Sequence, residues 1–306
     1  MTLPLPTATG PAIWALNLGF LLPFLSPVGR FVNEPQLADL ILSMNTGSPQ
    51  SLNELEQARR HGKPLAWWTI EDPNSFATFL PQAALADVVF TSDEACVPRY
   101  VQALGHARVH WLPLACAPEL HRPSPLLREA SEFVLSANWY TNEARLESVR
   151  RVVDPLLEDG HSLTLYSYDH PSFRWPAPYQ TAWRGATSYL TTSEQYRSGR
   201  VVLGLNGQRS GLDGHAHTVM TSMRTFEALA CGKPLLTSES DAYARLGFVN
   251  HEHLIWSANP AQTRAAAARL LGQEGEQIAR QGRAFVLNRH TYAHRLDTLT
   301  QAALNL

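Results

Sequence analysis

The sequence predicts an α/β protein of two Rossmann-like domains, each built on a parallel sheet. Three observations carry this. Short β-rich apolar runs alternate with longer helical stretches from residue 38 onward, the pattern of right-handed βαβ units. A proline-dense segment, APELHRPSPLL (117–127), separates two such series and reads as a linker. At 306 residues and 44% hydrophobic, the chain can bury two cores of ordinary size.

The elements follow in order. The apolar stretch PAIWALNLGFLLPFLSPVG carries Asn17, Pro23 and Pro27, has no basic flank ahead of it, and reads as buried strand and loop. ADLILSMN (38–45) is a strand, and SLNELEQARRHG (51–62) a helix with Ser51 placed to cap it. KPLAWWTIEDP (63–73) is a strand with a polar end. ADVVFTS (86–92) is a strand, DEACVPRYVQALG (93–105) a helix, and ARVHWLPLA (107–115) a strand. After the linker come the strand EFVLSANWY (132–140), a helix over 142–160, and the strand HSLTLYS (161–167). An aromatic- and proline-rich loop (169–180), TAWRG, a helical TSEQYRSG and the strand RVVLGLN (200–206) lead to a glycine-rich loop, GQRSGLDGHAH (207–217). A helix around 222–231, strands PLLTS (234–238) and LIWS (254–257), a helix over 260–272 and a helical stretch over about 275–305 complete the chain. The expected domains are an N-terminal one, 1–121, and a C-terminal one, 122–285, followed by a C-terminal helix, 286–306, that can pack back on the N-terminal domain.

Composition excludes several classes. A net charge of -2 provides no global basic field for nucleic acid or anionic membrane. The three scattered cysteines, without CxxC spacing, argue against a disulfide framework or zinc site and for a reducing, cytoplasmic setting.

The chemistry concentrates at 200–234. The loop after RVVLGLN lies at the carboxyl end of a buried strand, where open α/β sheets bind ligands. Gly207, Gly211 and Gly214 let backbone approach a ligand. The next helix starts near Thr221 or Ser222, either of which can cap it, and its free N–H groups favour a phosphate or diphosphate. At 100° per residue Met223, Phe226, Leu229 and Ala230 share the side that packs on the sheet, with Arg224 and Glu227 on the other flank. Gly232 and Pro234 end the helix. An exposed Arg–Glu pair at this spacing is ordinarily a weak surface ion pair. Behind a glycine-rich loop, however, a carboxylate can accept ribose hydroxyls and a guanidinium can fork onto phosphate.

The segment MRTFEALACGKPLLTS (223–238) closely resembles the donor-site helix of GT-B glycosyltransferases, particularly the spore-maturation (CgeB-type) group with its R-x-F-E-A-x-A-C-G-x-P pattern. WWTIEDP, VVFTSDE, LPLACAPELHRP and the ending GRAFVLNRHTYAHRLDTL (282–299) extend the resemblance over roughly 38–300. It implies a GT-B architecture with the active site between the domains, a nucleotide-diphosphate sugar as co-substrate of the C-terminal domain, and an acceptor on the N-terminal one. Glu227 would hold the nucleotide ribose, and Arg224, Met223, Thr221 and Ser222 at the helix start would face the diphosphate. No metal or other cofactor is implied, and the chain has no D-x-D signature. Many retaining relatives carry a second glutamate where this chain has Val219.

Other candidates keep two readings each. Asp72 is the candidate general base toward the acceptor hydroxyl, ahead of Glu71, or else starts a turn or caps a helix. Asp93 suits an N-cap. His215 or His217 could reach the donor from the loop. Asn138 and Arg145 could touch the diphosphate, or Arg145 is a solvated helix residue. His251 and His253 read as a polar turn. Trp175, Tyr179 and Trp183 stack on a ligand or simply pack. The function expected is a metal-independent glycosyltransferase acting on an unidentified acceptor: glycan, protein, small molecule or nucleic acid. The alternatives are a catalytically silent nucleotide-binding module and an enzyme acting on nucleic-acid bases. For the latter, Arg59, Arg60, Lys63 and Arg99 are few.

Overall fold

The structure, a computed structural model, describes residues 10–44, 47–124, 129–168, 170–206 and 220–306. The chain divides into two compact units, one of Met1–Leu114 with Tyr292–Leu306 and one of Ala115–Thr291. The sequence places these boundaries at 121 and 285; the contacts place them after Leu114 and Thr291.

Unit one holds six parallel strands: β1 (Ala12–Leu16), β2 (Arg30–Val32), β3 (Leu40–Met44), β4 (Leu65–Thr69), β5 (Val88–Thr91) and β6 (Val109–Trp111). They lie in the order β2-β1-β3-β4-β5-β6. Central strands β3, β4 and β5 are buried along their whole length, as their unbroken apolar runs require of a sheet covered on both faces. The apolar N-terminal stretch supplies β1, a short helix (Leu22–Leu25) and β2. Asn17, in the left-handed region that asparagine tolerates, turns the chain after β1. Among the described residues no helix is long and apolar enough to cross a membrane. The helix Pro49–Arg59 is capped by Ser48, which accepts from the Ser51 amide; Ser51, expected as the cap, lies inside the first turn.

The expected C-terminal helical stretch is two helices, Gln273–Arg289 and Tyr292–Leu304. The second belongs to unit one, where Tyr292 stacks on Phe24 at 5.7 Å. There buried Arg295 donates to the Pro113 and Leu114 carbonyls at 2.7 and 3.2 Å.

Unit two holds β7 (Ser131–Ser136), β8 (Leu163–Ser167), β9 (Trp183–Ala186), β10 (Gly199–Gly204), β11 (Leu235–Ser238) and β12 (Ile255–Ser257). All pairs are parallel, in the order β12-β11-β10-β7-β8-β9. This is the order of a doubly wound Rossmann sheet. The chain builds outward from β7 to β9, then returns to lay β10 on the other side of β7. The switch point, where such sheets bind ligands, lies between the carboxyl ends of β7 and β10. The helix expected over 142–160 is broken into Glu143–Val152 and Asp154–Glu158, because Pro155 cannot continue the hydrogen-bond ladder.

Helix Gln273–Arg289 packs against helix Met223–Ala230 through Gly282. A Cβ there would stand 2.2 Å from the His253 carbonyl oxygen and 2.8 Å from Leu229 Cδ2, so only glycine fits.

Candidate functional site

The site residues of unit two sit on the two connections that flank the switch point. After β7 the chain runs through Asn138 and Tyr140 into helix Glu143–Val152, whose N-terminus Asn142 caps through the Arg145 amide. After β10 come Leu205 and Asn206, and then the glycine-rich loop. Gly207, Gly211, Gly214, His215, His217 and Val219 lie outside the described residues. The chain re-enters the described structure at Met220 and forms helix Met223–Ala230.

That helix begins differently from expectation. Ser222 occupies the N-cap position, yet its side chain makes no cap bond. Its Oγ instead accepts from Arg224 Nη1 at 3.4 Å. Thr221 is buried, and its hydroxyl has no partner among the described residues. The helix therefore starts without a side-chain cap, which leaves its positive end suited to an anion. Its end follows the sequence. Gly232 sits at φ +75°, the Lys233 amide reaches the Ala228 carbonyl and the Gly232 amide the Leu229 carbonyl, a Schellman closure.

Arg224 and Glu227 are not an exposed flank. Glu227 is 1% exposed, and no ion pair joins it to Arg224 among the described residues. One step of 100° separates Glu227 from Phe226. The packing around the helix, from β10, β11, the helix Thr192–Arg197 and Gln273–Arg289, closes over both. Tyr196 donates its hydroxyl to Glu227 Oε2 at 2.7 Å. His121 Nε2 stands 3.2 Å from Oε1 but off the line of a hydrogen bond, and Oε1 accepts none among the described residues. Burial and the Glu227 charge push the Tyr196 phenol well above its usual pKa, so it stays a donor.

Arg145 approaches from the β7 side. It is 7% exposed, donates to the Leu205 carbonyl at 3.4 Å, and lies over the Tyr140 ring at 5.3 Å. Burial and then the Arg224 charge lower its pKa to about 10, which still leaves it ionised at neutral pH. The Nε atoms of both arginines have no partner among the described residues. Two cations in one another's field, one of them buried, are unfavourable unless an anion accompanies them. Asn138 ties the carboxyl ends of β7 and β8 together: its Oδ1 accepts from the Tyr168 amide at 2.9 Å and its Nδ2 donates to the Tyr140 hydroxyl at 3.4 Å. Met223 is half-buried at the helix start.

Asn138, Arg145, Thr221, Ser222, Met223, Arg224 and Glu227 thus gather on the connections flanking one switch point. Sequence reasoning missed Tyr196 and His121. Neither carries a spacing signal: Tyr196 is a single aromatic in a short polar helix, and His121 falls in the segment read as linker.

Asp72 lies apart, in unit one, at the end of β4. It has no exposed surface; Thr91 Oγ1 and the Tyr100 hydroxyl donate to it at 2.6 and 3.2 Å. Burial raises its pKa to about 6. In this conformation it has nothing to present to an acceptor hydroxyl, and it anchors the loop after β4 to β5 and to the helix Val97–Leu104. Asp93 is the N-cap the sequence suggests, accepting from the Ala95 amide at 2.9 Å. Trp175, Tyr179 and Trp183 pack: their polar atoms bond Ala137, Asp154 and Ser167. His253 closes a turn by accepting from the Val249 amide. Among the described residues no group of three His, Cys, Asp or Glu is placed to hold a metal ion.

Known proteins give this geometry a context. No curated protein matches the sequence. Among solved structures, Anabaena HepE in complex with UDP-glucose superposes with a TM-score of 0.61 at 12% identity, covering 96% of this chain and 99% of that one. The DNA-modifying enzyme β-glucosyltransferase gives 0.63 at 11% identity with the same coverage. A point mutant of the T4 phage enzyme BGT in complex with UDP-glucose gives 0.57 at 13%, covering 95% and 99%. What these share with the chain is the architecture, two Rossmann-like units of the GT-B fold. The family model described as glycosyl transferase-like matches residues 144–301, more than half of the chain, with Arg145, Arg224 and Glu227 inside the match, and the chain belongs to that family.

Proposed function

We propose that the protein is a glycosyltransferase that takes a nucleoside-diphosphate sugar at the switch point of unit two. The carrying observation is the convergence there of two arginines on a helix N-terminus whose Ser222 makes no side-chain cap bond, beside the buried carboxylate of Glu227; both arginine Nε atoms and Glu227 Oε1 have no hydrogen-bond partner among the described residues. Arg145, Arg224 and the amides after Ser222 suit a diphosphate; Glu227 Oε1 suits a ribose hydroxyl. Such an array offsets the charge of the departing diphosphate without a metal, and metal independence is part of the proposal. The complexes of HepE and of the phage mutant with UDP-glucose support a uridine diphosphate donor by fold analogy. Kinship with the spore-maturation group rests on the 223–234 motif.

Titration calorimetry of the wild type and Glu227→Ala with a panel of nucleoside diphosphates and their sugar conjugates tests this. The expected result is micromolar binding of one diphosphate, weakened at least tenfold (about 1.4 kcal/mol) in the variant. Equal binding by both would refute the assignment of Glu227. A second reading, a catalytically silent nucleotide-binding module, is favoured by the burial of Asp72, the first candidate for the base in unit one. Slow release of free sugar from the bound donor would exclude it.

A further inference from the structure

We propose that His121 is a positioning residue for the nucleotide ribose, acting through Glu227; this rests on the donor reading above. His121 is 1% exposed and lies in the turn that opens unit two. The backbone amide of Ala117 donates to its Nδ1 at 3.0 Å. An amide nitrogen can only donate, so Nδ1 carries the lone pair and the proton of the neutral ring sits on Nε2. That N–H stands 3.2 Å from Glu227 Oε1. The ring is therefore fixed at one edge by main chain, and its other edge presents a positive dipole to the carboxylate oxygen that accepts no hydrogen bond among the described residues.

The two oxygens of Glu227 are held differently. Tyr196 engages Oε2 with a direct bond at 2.7 Å, which sets the carboxylate plane. His121 approaches Oε1 off-line, which restrains that oxygen electrostatically while leaving its lone pairs available. A ligand hydroxyl that displaces the cover over Oε1 would complete it, and a carboxylate held on both sides keeps its own orientation when that hydroxyl arrives.

His121 also closes the turn from Ala117, where the amides of Leu120 and His121 return to the Ala117 carbonyl, so a purely structural role must be separated. Two substitutions do this. In His121→Asn the amide oxygen takes the place of Nδ1 and keeps the turn, while nothing replaces Nε2. In His121→Gln an amide N–H takes the place of Nε2. The probes are UDP, which has a ribose, and inorganic pyrophosphate, which does not, each titrated calorimetrically into the full chain with thermal melts alongside.

The expected result is that His121→Asn weakens UDP at least fivefold and leaves pyrophosphate within twofold, and that His121→Gln restores UDP to within twofold of wild type. UDP binding unchanged in His121→Asn, or equal losses for UDP and pyrophosphate, would overturn the proposal and leave His121 as a turn residue. If His121→Asn does not fold, His121→Gln decides alone: selective retention of UDP affinity supports positioning, and parallel loss of both ligands overturns it. Failure of the wild type to bind any nucleoside diphosphate would sink the donor reading and this inference with it, whereas wild-type binding with an unaffected His121→Asn sinks only this one.

Discussion

Replacing Arg145 with methionine is expected to make the free protein more stable while weakening its hold on a diphosphate. Burial and then the Arg224 charge oppose the guanidinium and push its pKa down from the ordinary arginine value to about 10. At about 1.4 kcal/mol per pH unit, carrying that charge costs the folded state about 3 kcal/mol. The folded and unfolded chains both hold the proton at pH 7, so the whole cost is present there. It relaxes only as pH rises beyond about 10, where the unfolded chain binds more protons than the folded one. Methionine fills a similar volume and removes the charge. Against the gain stand the long bond to the Leu205 carbonyl, worth about 1 kcal/mol, and the contact with the Tyr140 ring, worth about 1 kcal/mol. A net stabilisation of about 1 kcal/mol remains, visible at pH 7 as a higher urea midpoint with an unchanged slope. In the same experiment UDP at a hundred times its dissociation constant should stabilise the wild type by about 2.7 kcal/mol and Arg145→Met by much less. A variant that is destabilised by about 1 kcal/mol or more, and that still gains the full increment from UDP, would refute the reasoning and make Arg145 a structural residue.

The remaining predictions concern packing and pH. Asp72 has its pKa raised by burial from 3.8 to about 6, so it contributes stability that is present below 3.8 and lost as pH rises through 6. The stability of Asp72→Asn relative to wild type is therefore expected to improve by up to about 3 kcal/mol between about pH 3.5 and about pH 7.5; parallel urea-midpoint profiles would exclude this. Gly282→Ala drives a Cβ into the His253 carbonyl and is expected to cost about 1–3 kcal/mol, read as a drop in melting temperature with nucleotide affinity unchanged. An unaltered melt would mean the two helices part without penalty.

Much of this fold was legible because hydrophobic period and turn chemistry agreed. VVFT and LLTS read as buried strands from their β-branched and leucine runs, and Gly232 marked a helix end because its position needs a left-handed backbone. The errors have physical causes. Ser48, not Ser51, caps its helix because Pro49 is a favoured first residue. The 275–305 stretch has continuous helical periodicity, and only the β-bridge of Thr291 to Cys116, remote in sequence, breaks it. At the site, the residues on the two connections were readable from motif and position. Glu227 was not readable as buried, since its burial depends on Tyr196 and His121, which lie far from it in the sequence. Asp72 shows the converse error: a carboxylate at a strand end looked accessible, and two hydroxyls from later elements enclose it.

The return of helix Tyr292–Leu304 to unit one has a consequence for biosynthesis. Unit two is one uninterrupted span and can close as soon as Thr291 has left the ribosome. Unit one, begun first, has to wait with part of its sheet uncovered until Tyr292 can stack on Phe24 and Arg295 can reach the Pro113 and Leu114 carbonyls. The unit begun first is thus the last to be finished, and a nascent chain halted short of helix Tyr292–Leu304 would carry a completed unit two and an unfinished, aggregation-prone unit one.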